Sequence, residues 1–294
     1  MQTTNYHTRC LISDSANLKP MKGYENTYLV KSQPLGFVFS SRIPTEEELI
    51  KHYDGYSRED YLSPITVKRY NELLDEFEVY RETGKLLDVG CGIGYFLDEA
   101  KKRGWDVHGT EYTDKAIAIC KAKGINMKQG KLDPALYKEG MFDIVTSFEV
   151  IEHINNPQEE VQNIRTLLRS GGLFYVTTPN FNAIERYLLK EKYNVIQYPE
   201  HLSYYTKKTL HYLLSHNGFR KKKLQTTGFS ITRIRTSLGK KEGYTGANVS
   251  DELVRQQLEK NSLMKTAKKI FNSVLNVLGL GSALKAWYIK QENK

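Results

Sequence analysis

The residues best placed to do chemistry run Ser147-Phe148-Glu149-Val150-Ile151-Glu152-His153-Ile154. Read as a helix, this stretch puts Glu149, Glu152 and His153 at i, i+3 and i+4, on one face. Two carboxylates and an imidazole so arranged suit a hard divalent cation such as Mg²⁺ or Mn²⁺. A further donor is available in Pro199-Glu200-His201-Leu202, so Glu149, Glu152, His153 and His201 form the candidate metal set. Without a metal, a histidine can take a proton from a hydroxyl, which makes His153 and His201 the candidate catalytic residues. In that case Glu152 serves only to cap or orient a loop.

A second constellation is Leu86-Leu87-Asp88-Val89-Gly90-Cys91-Gly92-Ile93-Gly94-Tyr95-Phe96. A short apolar run, three glycines at alternate positions and an amphipathic run read as strand, turn and helix. Such a turn brings backbone N–H groups and the positive end of a helix up to a ligand, and glycine lets the ligand reach the backbone. A dinucleotide fingerprint would place its third glycine three residues after the second. Here Gly94 follows Gly92 by two. The next strand ends in Glu111, where an acid can accept from both hydroxyls of a ribose. Tyr112 beside it can lie against an adenine face.

The elements that must position these groups alternate. Strands are expected near 85–89, 105–110, 125–129, 142–147 and 172–177, with helices near 94–103, 113–123 and 157–169. That alternation implies a parallel sheet covered on both faces. Ligands of such sheets lie beyond the carboxyl ends of the strands, beside Phe148-Glu149 and beside Thr178-Pro179-Asn180. A helix near 206–217, ended by Asn217-Gly218, leads to a sixth strand from Phe219 to Phe229. Ala283 to Lys290 reads as a closing strand.

Asp-x-Gly-x-Gly-x-Gly, the acid ending the second strand and the later Phe142-Asp143-Ile144-Val145 strand together resemble class I S-adenosylmethionine-dependent methyltransferases, from about Lys85 to Gly228. The resemblance implies an α/β, Rossmann-like, seven-stranded and mostly parallel sheet whose seventh strand is antiparallel. It implies S-adenosylmethionine as cofactor and S-adenosylhomocysteine as product. Asp88 would help hold the methionine amino group, Gly90, Cys91, Gly92 and Gly94 would shape the loop, and Glu111 and Tyr112 would meet the adenosine. Cys91 itself reads as a small filler. Lys131 stands where the family often has an acid for the adenine amino group, with Asp133 as the substitute. Leu132 and Phe148 complete the cofactor set.

The acid–histidine stretch resembles ubiquinone-biosynthesis O-methyltransferases and small-RNA terminal-ribose methyltransferases, in which a metal engages two neighbouring acceptor oxygens. The implied activity is methyl transfer to an oxygen of a small molecule or of a sugar or glycan precursor. Two alternatives are RNA terminal-ribose methylation, with nucleic acid as partner, and a non-catalytic domain that binds the cofactor.

The periphery divides into a leader (1–55), a linker helix (56–84, helical from about Pro64 to Thr83), the core (85–236), a helical insertion (237–281) and a closing strand with tail (282–294). The leader resembles the zinc-ribbon module of a methyltransferase group acting in surface-glycan pathways. Its knuckle positions here are Ser32 and Leu35, so His7 and Cys10 alone remain as donors and a metal-free ribbon is expected. Pro44-Thr45-Glu46-Glu47-Glu48 carries a capping box, Thr45 with Glu48. Tyr53, Tyr56 and Tyr61 form an aromatic link. Segment 181–200, with Phe181, Tyr187, Tyr193 and Tyr198, reads as a lid over the acceptor. Residues 237–262 read as flexible.

From Leu263 to Leu278 a basic amphipathic helix follows, suited either to an anionic membrane surface or to packing on its own domain. Its inserted position favours a packed lid. The net charge of +9 points to an anionic partner or simply to a solvated face. Three scattered cysteines make no disulfide framework. No apolar run is long enough to cross a bilayer and no signal-peptide pattern is present, so a reducing cytoplasm is expected.

Overall fold

A computed structural model describes residues 5–45, 47–49, 62–230, 233–234, 237–239 and 262–292. The aromatic link of Tyr53, Tyr56 and Tyr61 and most of the polar stretch 237–262 lie outside the described residues.

The apolar runs of the core become strands because both faces of the sheet are covered. They are β4 (Lys85–Val89), β5 (Asp106–Glu111), β6 (Asn126–Gln129), β7 (Phe142–Phe148) and β8 (Leu168–Pro179). After α1 (Pro64–Phe77), they alternate with α2 (Tyr95–Lys102), α3 (Asp114–Ala122) and α4 (Pro157–Leu167). Further along come α5 (Ile184–Leu189), β9 (Ser203–Tyr204), α6 (Lys207–His216), β10 (Phe219–Thr227), α7 (Ser262–Leu278) and β11 (Ala283–Lys290). The large sheet has seven strands in the order β10-β11-β8-β7-β4-β5-β6. Its members are parallel apart from β11, which runs antiparallel between β8 and β10. From β4 the chain winds outward to β6 and then returns to β7 on the other side. The switch point therefore lies between β4 and β7, where open α/β sheets bind ligands.

Two apolar layers sandwich this sheet. One gathers Leu74, Phe77, Phe96, Tyr175 and Trp287 under α1 and α2. The other gathers Phe142, Phe174, Tyr205, Leu213 and Phe219 under α4 and α6. Asp143, fully buried at the start of β7, accepts from the backbone N–H groups of Glu82, Thr83 and Gly84 and from Arg169 at 2.7 Å. It thereby fixes the entry into β4.

The leader forms β1 (Leu18–Pro20), β2 (Leu29–Ser32) and β3 (Val38–Ser40), an antiparallel set. Its fourth strand is not its own: β3 pairs with β9, Val38 opposite Tyr204 and Phe39 opposite Ser203. Phe37 and Phe39 pack into the same layer as Tyr205. Cys10 is buried there as well. The reciprocal capping box is present, with Thr45 Oγ1 accepting from Glu48 N and Glu48 from Thr45 N. The linker helix stops at Phe77 and gives way to a 3-10 turn, Glu78–Tyr80. The sixth strand ends at Thr227, two residues short of the expected Phe229.

Candidate active site

The turn after β4 is built on three left-handed glycines, Gly90 (φ 68°), Gly92 (φ 53°) and Gly94 (φ 75°). They differ in what a side chain would meet. At Gly94 a Cβ would lie 2.8 Å from Cys120 Sγ and from Ile125 Cδ1, so this glycine is required by packing. At Gly92 a Cβ would meet nothing within 4 Å. That open side is where a ligand can approach the backbone. Glu111, at the end of β5, accepts from Gly92 N at 3.0 Å and from Tyr112 N at 2.7 Å. The carboxylate is thus tied to the glycine loop before any ligand arrives, and the Tyr112 side chain beside it is exposed.

Asp88 lies at the base of the loop, 3 % exposed, accepting from Thr146 Oγ1 at 2.7 Å. Burial pushes its pKa up to about 8, against the hydrogen bond from Thr146. A buried acid with no cation beside it among the described residues fits the ammonium of an amino-acid ligand. Tyr70 of α1, absent from the candidate set, belongs to this neighbourhood. Its hydroxyl is pushed up to about 12 by burial, with Asp88 adding to the effect. Phe148 forms an aromatic wall with Phe96 (centroids 4.9 Å apart) and Tyr175 (5.4 Å).

Cys91 turns its thiol toward Met127 Sδ at 3.9 Å, which makes it a filler. Hydrogen bonding with the Cys120 thiol and then burial push it up and keep it protonated. Lys131 is exposed and Leu132 is a core residue. The Asp133 carboxylate, expected to substitute for an adenine-reading acid, is occupied in capping the 3-10 turn Pro134–Leu136 through Ala135 N at 2.9 Å.

The stretch after β7 is not the helix that its spacing suggests. Glu149 is left-handed (φ 53°), and only Ile151–His153 make a 3-10 turn. A non-glycine residue there costs on the order of 1 kcal/mol and breaks a helical register. Glu149 and Glu152 consequently part company. Successive residues of β8 point to opposite faces. Thr177 hydrogen-bonds the Glu149 carboxyl, whereas Thr178 Oγ1 donates to Glu152 at 2.9 Å. Glu149 opens to solvent at the rim but is flanked closely by protein, and this desolvation raises its pKa. Arg233 and Lys285 partly offset that effect. Both are basic groups absent from the candidate set, and Lys285 faces Thr177 across β11.

Three of the four expected metal donors do converge. One ligand atom each from Glu152, His153 and His201 lie within 4.8 Å of one another, and Glu149 is outside this group. The rings of His153 and His201 meet edge to face at 4.8 Å. His153 Nδ1 lies 2.6 Å from the carbonyl of Glu200, and His201 Nδ1 lies 2.6 Å from that of Val195. A carbonyl only accepts, so each Nδ1 carries a proton, and Nε2 is the ring atom that would hold a metal. Pinning one ring nitrogen so that the other faces a metal is how ligating histidines are oriented. Glu152 is 2 % exposed, and burial, with Glu149 adding, raises its pKa well above the carboxylate range. A cation between these donors would restore its charge, so the residues fit a divalent metal.

His201 is held in place from two sides. Leu202 N donates to the Glu152 carbonyl and Ser40 N donates to the Leu202 carbonyl, each at 2.8 Å. The leader sheet therefore supports the site through β9. The expected lid is largely structure: Tyr193 and Phe181 are buried, Tyr187 is exposed and Tyr198 is half-buried. Phe181 packs against Tyr204 and Tyr193 packs under α5.

A family model described as a methyltransferase domain matches residues 61–224, more than half of the chain. The ubiquinone biosynthesis O-methyltransferase of Colwellia psychrerythraea is 32% identical over 112 residues, which are 36% of this chain and 45% of that protein. That of Acinetobacter baumannii (strain ACICU) is 30% identical over 140 residues, 45% of this chain and 59% of that protein. The matched segment thus spans about half the length of these relatives. Among solved structures, an S-adenosylmethionine-dependent methyltransferase from Archaeoglobus fulgidus superimposes with a TM-score of 0.52 at 18% identity, covering 77% of this chain and 93% of that one. Phosphoethanolamine N-methyltransferase 2 of Haemonchus contortus gives a TM-score of 0.53 at 17% identity, over 87% of this chain and 63% of that one. These two structures share the fold. With the family model fitted across the core and the strand order matching, the chain belongs to the methyltransferase-domain family, on the class I S-adenosylmethionine-dependent fold.

Proposed function

We propose that the protein transfers a methyl group from S-adenosylmethionine to an oxygen of a small molecule or of a sugar or glycan precursor, with a divalent cation held by Glu152, His153 and His201. The observation that carries this reading is the convergence of those three donors at the carboxyl end of β7. Similarity to the ubiquinone biosynthesis O-methyltransferases supports oxygen as the target. S-adenosylmethionine, when bound, supplies a methyl group on a sulfonium, a very good leaving group. The cation, when bound, supplies Lewis-acid polarisation of an acceptor hydroxyl that hardly ionises at neutral pH.

The chain's own residues do the positioning. Gly92 admits the cofactor to the backbone, Glu111 takes the ribose hydroxyls and Asp88 takes the ammonium. Phe148 closes the wall between cofactor and acceptor. Glu152 supplies the negative charge that keeps a cation in place, and Thr178 fixes its carboxylate. The carbonyls of Glu200 and Val195 fix the His153 and His201 rings through Nδ1, so that Nε2 is the atom that would hold the cation. Two imidazoles turn the set away from Mg²⁺, which seeks oxygen, and toward a first-row transition metal, for which Mn²⁺ serves as the probe. Without a cation, the same Nε2 lone pairs would accept the hydroxyl proton.

Calorimetric titration of Mn²⁺ into protein loaded with S-adenosylhomocysteine tests the metal. One saturable site in wild type that Glu152→Ala loses supports it. Normal S-adenosylhomocysteine loading with no Mn²⁺ heat would refute the metal and leave the histidines as bases.

A further inference from the structure

Helix α7 wears its apolar side outward. A surface helix ordinarily turns that side to the core. In α7 only Leu275 is buried among its large apolar side chains with described surroundings (3 % exposed), whereas Ile270 is 61 % and Val277 81 % exposed. At 100° per residue, Ile270, Val274, Val277 and Leu278 form one stripe, and Phe271 borders it. The helix is fastened from the opposite side. Lys207 Nζ donates to the Asn276 carbonyl at 2.6 Å, Thr226 N donates to Asn276 Oδ1 at 2.9 Å, and Thr226 Oγ1 donates to the Leu275 carbonyl at 3.0 Å. These anchors set the orientation of the stripe, which faces away from β10 and α6.

The end of α7 is tied to α5. Ile184 N, which opens α5, donates to the Leu280 carbonyl, and Asn180 Nδ2 donates to the carbonyls of Gly279 and Gly281. Tyr187 and Leu188 of α5 are likewise exposed, 52 % and 65 %. The turn after β8, at the active end of the sheet, is thus tied directly to the end of α7.

We propose that α7 is a docking helix that lays this stripe on the surface of an anionic lipid bilayer. Charge selects the occupant. The sequence of α7 holds Lys265, Lys268 and Lys269 and no acid. Lys269 is exposed and stands off the stripe, as basic residues do on helices that lie in a membrane interface. Lys190 and Lys192, both exposed, follow the apolar pair of α5. A second copy docked by α7 would offer these lysines no acid from its own α7, whereas an anionic bilayer would offer them negative charge. No described helix is long and apolar enough to cross a membrane, so the contact is one of lying on the surface. Docked in this way, the enzyme would present its cleft to acceptors displayed at the bilayer.

The test is co-sedimentation of the full chain with vesicles of phosphatidylcholine mixed with phosphatidylglycerol, against vesicles of phosphatidylcholine alone. Wild type is expected on the mixed vesicles, at least about tenfold more weakly on the neutral ones, and released by salt. Ile270→Asp combined with Val277→Asp is expected to lower partitioning at least about tenfold. Lys269→Glu is expected to lower it about fivefold or more, the factor for one basic group at an anionic surface. Unchanged affinity for S-adenosylhomocysteine in these variants shows that the fold is kept. The proposal is overturned if wild type stays in solution with the mixed vesicles, or if the double variant binds them as well as wild type. It is also overturned if light scattering shows a dimer that Val277→Asp dissociates while vesicles capture nothing.

Discussion

Replacing Asp88 with Asn should make the protein more stable and worse at binding its cofactor, and the structure sets the size of both effects. The Asp88 carboxyl is raised by burial from 3.8 to about 8. Below 3.8 it is protonated in both the folded and the unfolded chain and its contribution to stability is fully present. As pH rises toward about 8 the unfolded chain releases the proton and the folded chain does not, so stability is lost through that window. At 1.36 kcal/mol per unit, the loss reaches about 6 kcal/mol as an upper bound. The amide of the Asp88→Asn variant would retain the hydrogen bond from Thr146 and escape this loss, so the variant without ligand should melt higher than wild type near pH 8.

Cofactor binding runs the other way. An ammonium prefers the ionised Asp88, and near pH 7 ionising it costs about 1.4 kcal/mol, about tenfold in Kd. Wild-type affinity for S-adenosylhomocysteine should therefore improve about tenfold per pH unit up to about 8 and then level off. Asp88→Asn should bind independently of pH over that range, and at the plateau about 10- to 100-fold more weakly than wild type, the loss of a hydrogen bond to a charged group. Calorimetry from about pH 6 to about pH 9, paired with thermal melts, reads both effects. A pH-independent wild type, or a variant that melts lower and binds equally well, would refute the reasoning.

Other substitutions separate roles within the site. Gly92→Ala places a methyl group in the open side of the loop at positive φ. It should cost roughly 1 kcal/mol of stability and weaken S-adenosylhomocysteine binding more than tenfold by calorimetry, whereas Gly94→Ala, clashing with Cys120 and Ile125, should chiefly lower the melting temperature. Glu152→Gln should abolish Mn²⁺ heat without destabilising the metal-free protein. Because the folded pKa of Glu152 is raised, wild type loses stability relative to the Glu152→Gln variant as pH climbs above the usual carboxylate range, and melts at several pH values would show the gap widening. Ser203→Pro, which intrudes on the β3–β9 pairing, should lower Mn²⁺ affinity through His201 while S-adenosylhomocysteine binding holds within about threefold, since the glycine loop lies on other strands.

What the sequence makes legible is what local pattern can encode. Strand β4, its alternate glycines, the acid ending β5 and the closing strand Ala283–Lys290 stand where periodicity and spacing place them. The site's acid–histidine stretch shows the limit. Spacing of i, i+3 and i+4 describes one helical face, yet a left-handed Glu149 breaks the helix and the two carboxylates take different partners, Thr177 and Thr178. That outcome depends on a neighbouring strand, which no local pattern contains. The pairing of Phe39 with Ser203 is equally silent in the sequence, so the leader reads as a separate module although it braces His201. The outward stripe of α7 is legible as amphipathicity. Its direction comes from Thr226, Lys207 and Asn276, which are distant in the chain.

The most direct test of the central claim is a calorimetric titration of S-adenosylhomocysteine into wild type and into Glu111→Ala. One saturable site in wild type, weakened at least about tenfold in the variant, is the result expected if Glu111 takes the ribose beside the glycine loop. Failure of wild type to bind S-adenosylhomocysteine, or equal binding by both proteins, would contradict it.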